Sequence, residues 1–434
     1  MKKNVTYPLS AVFVAVLLAG CGGGGGDGDA PVAPVVPVAP VVPPVVENPN
    51  KFTQSAEWKF ALPATGTSVC YDFDTKTEVA GCTGNTWDLK VKSGGRSAEL
   101  FTNSGSSGTG AGGAFGSPFV HTWIKLLAWQ NALTDPTSGP IPATLYAADA
   151  AKNTLSGSNS IQSAAFEYGV GGDTDHLLYP NYRVFLVTTK NSVADAVGTA
   201  DSPVFAVQLT GYYGGAGGTA SGYPSFRWID QLSKTQKTAA VNASAGWVYY
   251  NLATASEVAE TGTWHIAFNR YNVKLNGGTS GSGTVGGFVG ATPAGFYAAD
   301  GVTPVAAKFK AATPADTLAD LTGVLKTPAN AAGWIKDAVA SQLSPAYTGT
   351  YPNALNYGWF SYHPTDAVAI AAGLAGQHML KANPENASLV RSGEGTSYAR
   401  IRLSSIAYAA VAAGAPAYTG AQTWTLQMDV QPAP

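Results

Sequence analysis

Few side chains in this 434-residue chain could do chemistry near neutral pH: five histidines, three cysteines and three methionines. Imidazole can act as a general base or ligate iron, zinc or copper, so each histidine is weighed by its neighbours. His265 follows Trp264 in the middle of a strand-like run and reads as structural. His378, in Gln377-His378-Met379-Leu380, reads as a structural strand residue too. His121 precedes a predicted helix and suits a cap or the surface. His176 lies in the loop GGDTDHLLYPN, and His363 ends WFSYHP ahead of a long loop. Loop histidines flanked by Tyr and Trp are well placed to ligate the iron of a flat aromatic cofactor, with aromatic side chains walling the ring.

No catalytic constellation accompanies them. The chain has no GxSxG, HExxH, CxxC or EF-hand loop, and its carboxylates are thinly spread. A glycosidase pair cannot be picked out, because the separation that matters is spatial. G-x-G-x-x-G occurs twice, at Gly108/Gly110/Gly113 and Gly281/Gly283/Gly286. A dinucleotide fingerprint needs that string between a strand and a helix, and neither AFGSPFVHTW nor GFVGATPAGF starts a helix. A Gly-rich loop or bulge of close backbone approach accounts for it better. The expectation is a protein that is not an enzyme.

Cys21 closes Leu18-Ala19-Gly20-Cys21, after a Met1-Lys2-Lys3 start and the apolar run Ala11–Leu18. That run is too short to span a bilayer, and its form matches a secretory signal. A cysteine directly after the small residues resembles the bacterial lipobox, which implies loss of residues 1–20 and acylation of Cys21. The plainer alternative is an ordinary signal with an incidental cysteine. Gly22 at the next position implies, by the same resemblance, transport to the outer membrane, with periplasmic and cell-surface orientations both open. Residues 21–50 then form a lipid anchor and Gly/Pro-rich linker. Polyproline-like Pro31–Pro49 would reach about 60 Å at ~3.1 Å per residue, a stalk that holds the rest off the lipid. No later run could cross a membrane as a helix, so a lipid is the only attachment expected. Cys70 and Cys82 flank a predicted hairpin, a spacing that fits a disulfide in an exported protein. A metal pair is the rival, but no Cys or His nearby completes four ligands.

The elements that must position these residues are strands. Charged residues make up 12 %, about half the ~25 % usual for soluble chains, and apolar residues 45 %. Lys+Arg total 25 against 27 Asp+Glu; this balance, without a basic stripe, argues against nucleic acid. Period-two runs rich in Val, Thr, Tyr and Phe dominate: YRVFLVTT at 182–189, WVYYNL at 247–252 and WHIAFNRYNVKL at 264–275. The clearest predicted helix is Pro328–Leu343, with Thr327 as N-cap and Trp334 and Ile335 on its apolar face. Ile124–Leu133 and Pro314–Leu321 are weaker helix readings. An internal repeat sets the architecture. Asn103-SGSSGTGAGGA-Phe115 aligns without gaps on Asn276-GGTSGSGTVGG-Phe288, with Trp87 opposite Trp264 and a four-residue insertion in the first copy. The expectation is an all-β, mainly antiparallel fold with a few short helices, in two tandem domains at 51–236 and 240–434.

These residues resemble a known family. Trp247-VYYNLATASEV, then Trp264-HIAFNRYNVKLNGGTSGSGTVGG, is similar to the HmuY-like haem-binding lipoproteins of Gram-negative bacteria. The first copy keeps Trp87-Asp88 and the Gly run but lacks the Arg-Tyr pair, and its later strands YRVFLVTT and FAVQLTGYYGG also look like the family's. The resemblance implies haem held on loops between axial side chains, commonly His or Met. His363 falls at one family ligand position in the second copy. In the first copy that position looks like Tyr168, with His176 in the inserted loop. No His or Met fills the other ligand segment, at 122–165 or 300–340. The leading expectation is thus a surface lipoprotein that captures haem and passes it to a TonB-dependent outer-membrane receptor. The alternative is a module that binds a glycan or protein partner without haem.

Overall fold

The computed structural model describes residues 51–172 and 174–434. The signal segment, Cys21 and the stalk lie outside the described residues. Antiparallel sheets with short helices make up the rest, as the period-two pattern predicts. Among the described residues, no helix is long and apolar enough to cross a membrane.

Two larger sheets share one strand order. In one, Gln54–Ala61 pairs Gln422–Gln431, followed by Tyr398–Tyr408, Asn386–Arg391 and Gly113–Phe115. In the other, Gln236–Ala240 pairs Ala220–Asp230, followed by Ser202–Gly214, Val184–Thr188 and Gly286–Ala291. A four-stranded sheet accompanies each, built around Ser68–Thr102 in the first case and Val248–Leu275 in the second. The repeat is therefore present as two equivalent sets of strands.

Those sets do not divide at 236–240 as expected. Gln236–Ala240 is hydrogen-bonded to Ala220–Asp230, so that boundary falls inside a sheet. One core joins Trp58, Phe73, Leu89 and Leu100 to Trp359, Ile401, Trp424 and Met428. The other joins Phe166, Phe185, Phe205 and Trp228 to Tyr250, Ile266, Phe268 and Leu275. Each lobe thus combines the first half of one copy with the second half of the other. A terminal lobe is built from both ends of the described chain, and a central lobe is inserted between them. The physical reason is strand pairing: Gly113–Phe115 pairs with Asn386–Arg391, while its counterpart Gly286–Ala291 pairs with Val184–Thr188.

The chain crosses between lobes at Ala150–Lys152 and returns at Ala338–Ala340, and these segments pair antiparallel with Ala151 opposite Val339. This crossing corrects the predicted helix Pro328–Leu343. Only a short 3-10 turn forms, at Ala331–Gly333. Ile335 exchanges backbone hydrogen bonds with Gly287, and Trp334 is buried with its Nε1 donating to the Val193 carbonyl. Extended chain covers about twice the distance per residue of helix, which a crossing requires. The other two helices are shorter than predicted, at Trp123–Leu127 and Leu318–Thr322. Cys70 and Cys82 form the expected disulfide, with Cα atoms 5.3 Å apart.

Candidate functional site

Each lobe carries a short hairpin whose mouth holds a tyrosine and a histidine. In the terminal lobe, Phe360–His363 pairs with Met379–Ala382, with Tyr362 opposite Leu380. In the central lobe, Phe166–Tyr168 pairs with Leu178–Pro180, with Tyr168 opposite Leu178. The hairpins are equivalent beyond register, since the Leu380 amide donates to Tyr408 Oη and the Leu178 amide to Tyr213 Oη. Two residues before each leucine comes a histidine. His378 Nδ1 lies 2.6 Å from Tyr362 Oη, and His176 Nδ1 lies 2.9 Å from Tyr168 Oη.

This pairing has a chemical consequence. When Nδ1–H donates to the phenol oxygen, Nε2 keeps the free lone pair that a metal takes, and the ring is held in orientation. The two mouths differ in their walls. His378 is half-buried, stacked on Tyr362 at 17° between planes, with Tyr418 edge-on at 5.3 Å. The Arg96 guanidinium lies 4.5 Å from the Tyr418 ring centroid. His378 also has φ of +62°, a left-handed conformation that costs a non-glycine residue energy and often marks a functional position. Tyr168 and His176 are both exposed.

The sequence expectations fall unevenly on this geometry. Tyr168 and His176 do meet. Tyr168, however, corresponds to Tyr362 and not to the neighbouring His363, as the hairpin register shows. His363 is buried at the end of its strand, opposite Met379, and its Nδ1 has no hydrogen-bond partner. Burial lowers its pKa below the usual imidazole value. His378, read as structural, is the true counterpart of His176. The signal was present as Phe-x-Tyr followed by His-x-Leu, at 166–178 and 360–380.

His265 and the acidic cluster of the terminal lobe have structural partners. His265 Nδ1 accepts from the Leu252 amide at 3.1 Å, where Asp88 Oδ2 accepts from the equivalent Phe73 amide at 2.8 Å. Burial pushes the His265 pKa down to about 4, keeping it neutral. His121 does not cap the helix after it; Thr122 Oγ1 does. Asp72, Asp74 and Asp88 bring carboxylate oxygens within 4.8 Å of one another. They accept from the Asp74 and Thr75 amides, the Ser397 hydroxyl, and the Phe73 and Gly393 amides, so hydrogen bonds explain the cluster.

No curated protein and no solved structure matches this chain. The family model described as HmuY protein matches residues 243–419. The match begins in the central lobe, passes through the crossing at Ala338–Ala340 and ends in the terminal lobe, taking in Tyr362, His363 and His378. Residues 243–419 are therefore HmuY-like, within a chain whose β architecture is built twice.

Proposed function

We propose that the protein binds haem at the terminal-lobe hairpin mouth, with His378 as the iron ligand, and that the Tyr168–His176 mouth is a second, weaker site. The carrying observation is the duplicated Tyr–His pair at equivalent hairpins. A porphyrin needs an imidazole nitrogen with a free lone pair, flat apolar walls and a cation for its propionates. His378, Tyr362, Tyr418 and Arg96 supply that set together. Support for haem as the ligand class comes from the HmuY family match. His363, beside Met379, is the rival ligand, but it would have to leave a buried position to reach iron. Capture of haem from outside and its delivery to an outer-membrane receptor belong to the same reading. They rest on the lipobox-like Cys21 and the Pro-rich stalk of the sequence.

The test is a hemin titration of the mature chain, read at the Soret band. A saturable shift is expected, weakened at least tenfold by His378→Ala and retained in His363→Ala. A spectrum identical to free hemin at micromolar protein rejects the haem reading. Loss of the shift in His363→Ala, with His378→Ala unaffected, moves the ligand to the buried histidine.

A further inference from the structure

A cavity of about 660 Å³ lies beside the crossing between lobes, away from both hairpin mouths. Its wall comprises the tight turn after Ile266–Asn269, the segment from Leu155 to Gln162, and the crossing residues Asp149–Ala151 and Ala340–Gln342. We propose that this cavity binds a short, uncharged oligosaccharide.

The first argument is the set of unused hydrogen-bonding groups. Trp247, Tyr271, Asn269, Asn272 and Gln342 all line the cavity. None of the five side chains has a hydrogen-bond partner among the described residues, whereas six of the nine other tryptophans donate from Nε1. Aromatic faces beside planar amides suit a sugar, whose C–H face stacks on a ring while its hydroxyls both donate and accept. The indole is also held in place: Lys274 Nζ lies 3.9 Å from the Trp247 ring centroid.

Charge and ligand type argue the same way. One carboxylate, Asp149, and one ammonium, Lys274, face the cavity, so the wall has no excess charge to attract an ionic ligand. Histidine, cysteine and methionine are absent from the lining, which separates this site from iron chemistry. Its volume lies within the ~300–1,000 Å³ range of small-molecule sites.

The two copies have also diverged here. The equivalent hollow in the terminal lobe is about 360 Å³ and is lined by Lys92, Glu99 and Lys152. The hairpin above it carries the four-residue insertion, Trp87 to Asn103 being 16 residues against 12 from Trp264 to Asn276. The shorter turn, with Asn269 opposite Asn272, leaves the central-lobe cavity larger and brings Tyr271 to its rim.

The experiment screens the mature chain on an array of neutral and charged glycans, followed by calorimetry with cellotriose, maltotriose and chitotriose. Saturable binding of a neutral glycan at one site per chain is expected. Trp247→Ala and Asn272→Ala should each weaken it at least tenfold, with the hemin titration unchanged. Asn272 is exposed and unbonded, so its variant carries the test if Trp247→Ala fails to fold. The proposal is overturned if no neutral glycan binds, if only charged glycans bind, or if Asn272→Ala leaves affinity unchanged. It also falls if a folded Trp247→Ala or Asn272→Ala variant loses the Soret shift, which would give the cavity to haem. Because His378→Ala should leave glycan binding intact, the haem reading and this one fail separately.

Discussion

Asp149 and Asp337 occupy the same place in the two copies, each directly before a crossing strand. Asp149 Oδ2 accepts from the Thr102 amide and the Ser107 hydroxyl, and Asp337 Oδ2 accepts from the Leu275 amide. The second carboxylate oxygen of each is buried without a partner. Burial, the largest influence, raises both pKa values to about 6. A carboxylate whose folded pKa exceeds its unfolded value contributes stability that is complete below the unfolded pKa of 3.8. That contribution is lost as pH rises through about 6. Each shift corresponds to roughly 3 kcal/mol at most, at about 1.4 kcal/mol per unit. His265 works in the opposite sense, since its depressed pKa of about 4 gives stability that is lost on acidification. The difference between variants is therefore the informative quantity. Relative to wild type, Asp149→Asn/Asp337→Asn should be more stable at pH 7.5 than at pH 4 by several kcal/mol. Denaturant unfolding at the two pH values measures this, and a pH-independent difference would contradict the assignment.

At the scale of elements, the Gly-rich loops show why the repeat could be read at all. Asn103 Oδ1 accepts from the Gly110 amide while Nδ2 donates to the Trp87 carbonyl. Asn276 does the same with Gly283 and Trp264. A Cβ on Gly108 or Gly281 would collide with the asparagine side chain the loop wraps around, which fixes the glycine spacing in both copies. Asn103→Ala strips a fully buried amide from three backbone groups, the Gly84 and Trp87 carbonyls and the Gly110 amide, and should cost about 2–4 kcal/mol. Gly281→Ala should cost a similar amount through the clash. Thermal melts of the two variants that match wild type would show that the loops are not built around these side chains. The glycines, the strands and the disulfide were legible because each imposes a local spacing. The histidine equivalence was harder to see. His176 follows Tyr168 by 8 residues and His378 follows Tyr362 by 16, so alignment by neighbours favoured His363. The crossing was illegible for another reason. Alanine-rich 328–343 has helical periodicity, and nothing local records that it must reach the other lobe.

For the whole molecule, the informative feature is the ladder between Ala150–Lys152 and Ala338–Ala340. Ala151 and Val339, each two residues after its aspartate, pair at the centre, with Ala150–Ala340 and Lys152–Ala338 on either side, so the ladder is symmetric about a local two-fold. Two sequence copies have exchanged their second halves across this point, and the continuous HmuY match over 243–419 is split between lobes as a result. The terminal lobe should then be separable from the central one. Its principal core draws only on residues 58–114 and 343–430, and none of its large-sheet strands comes from residues 153–337. Lys152 and Ala338 are direct ladder partners, ~5 Å apart in such a pair, so an Asn-Gly turn can join them as a hairpin. A chain with Asn-Gly in place of residues 153–337 should fold cooperatively as a monomer with the Cys70–Cys82 bridge intact. It should also bind one hemin through His378, whereas the full chain should bind a second, weaker one at His176. Circular dichroism, light scattering and hemin stoichiometry test this together. An unfolded product would mean that the terminal lobe needs the central lobe to form, and that the exchanged halves make one inseparable folding unit.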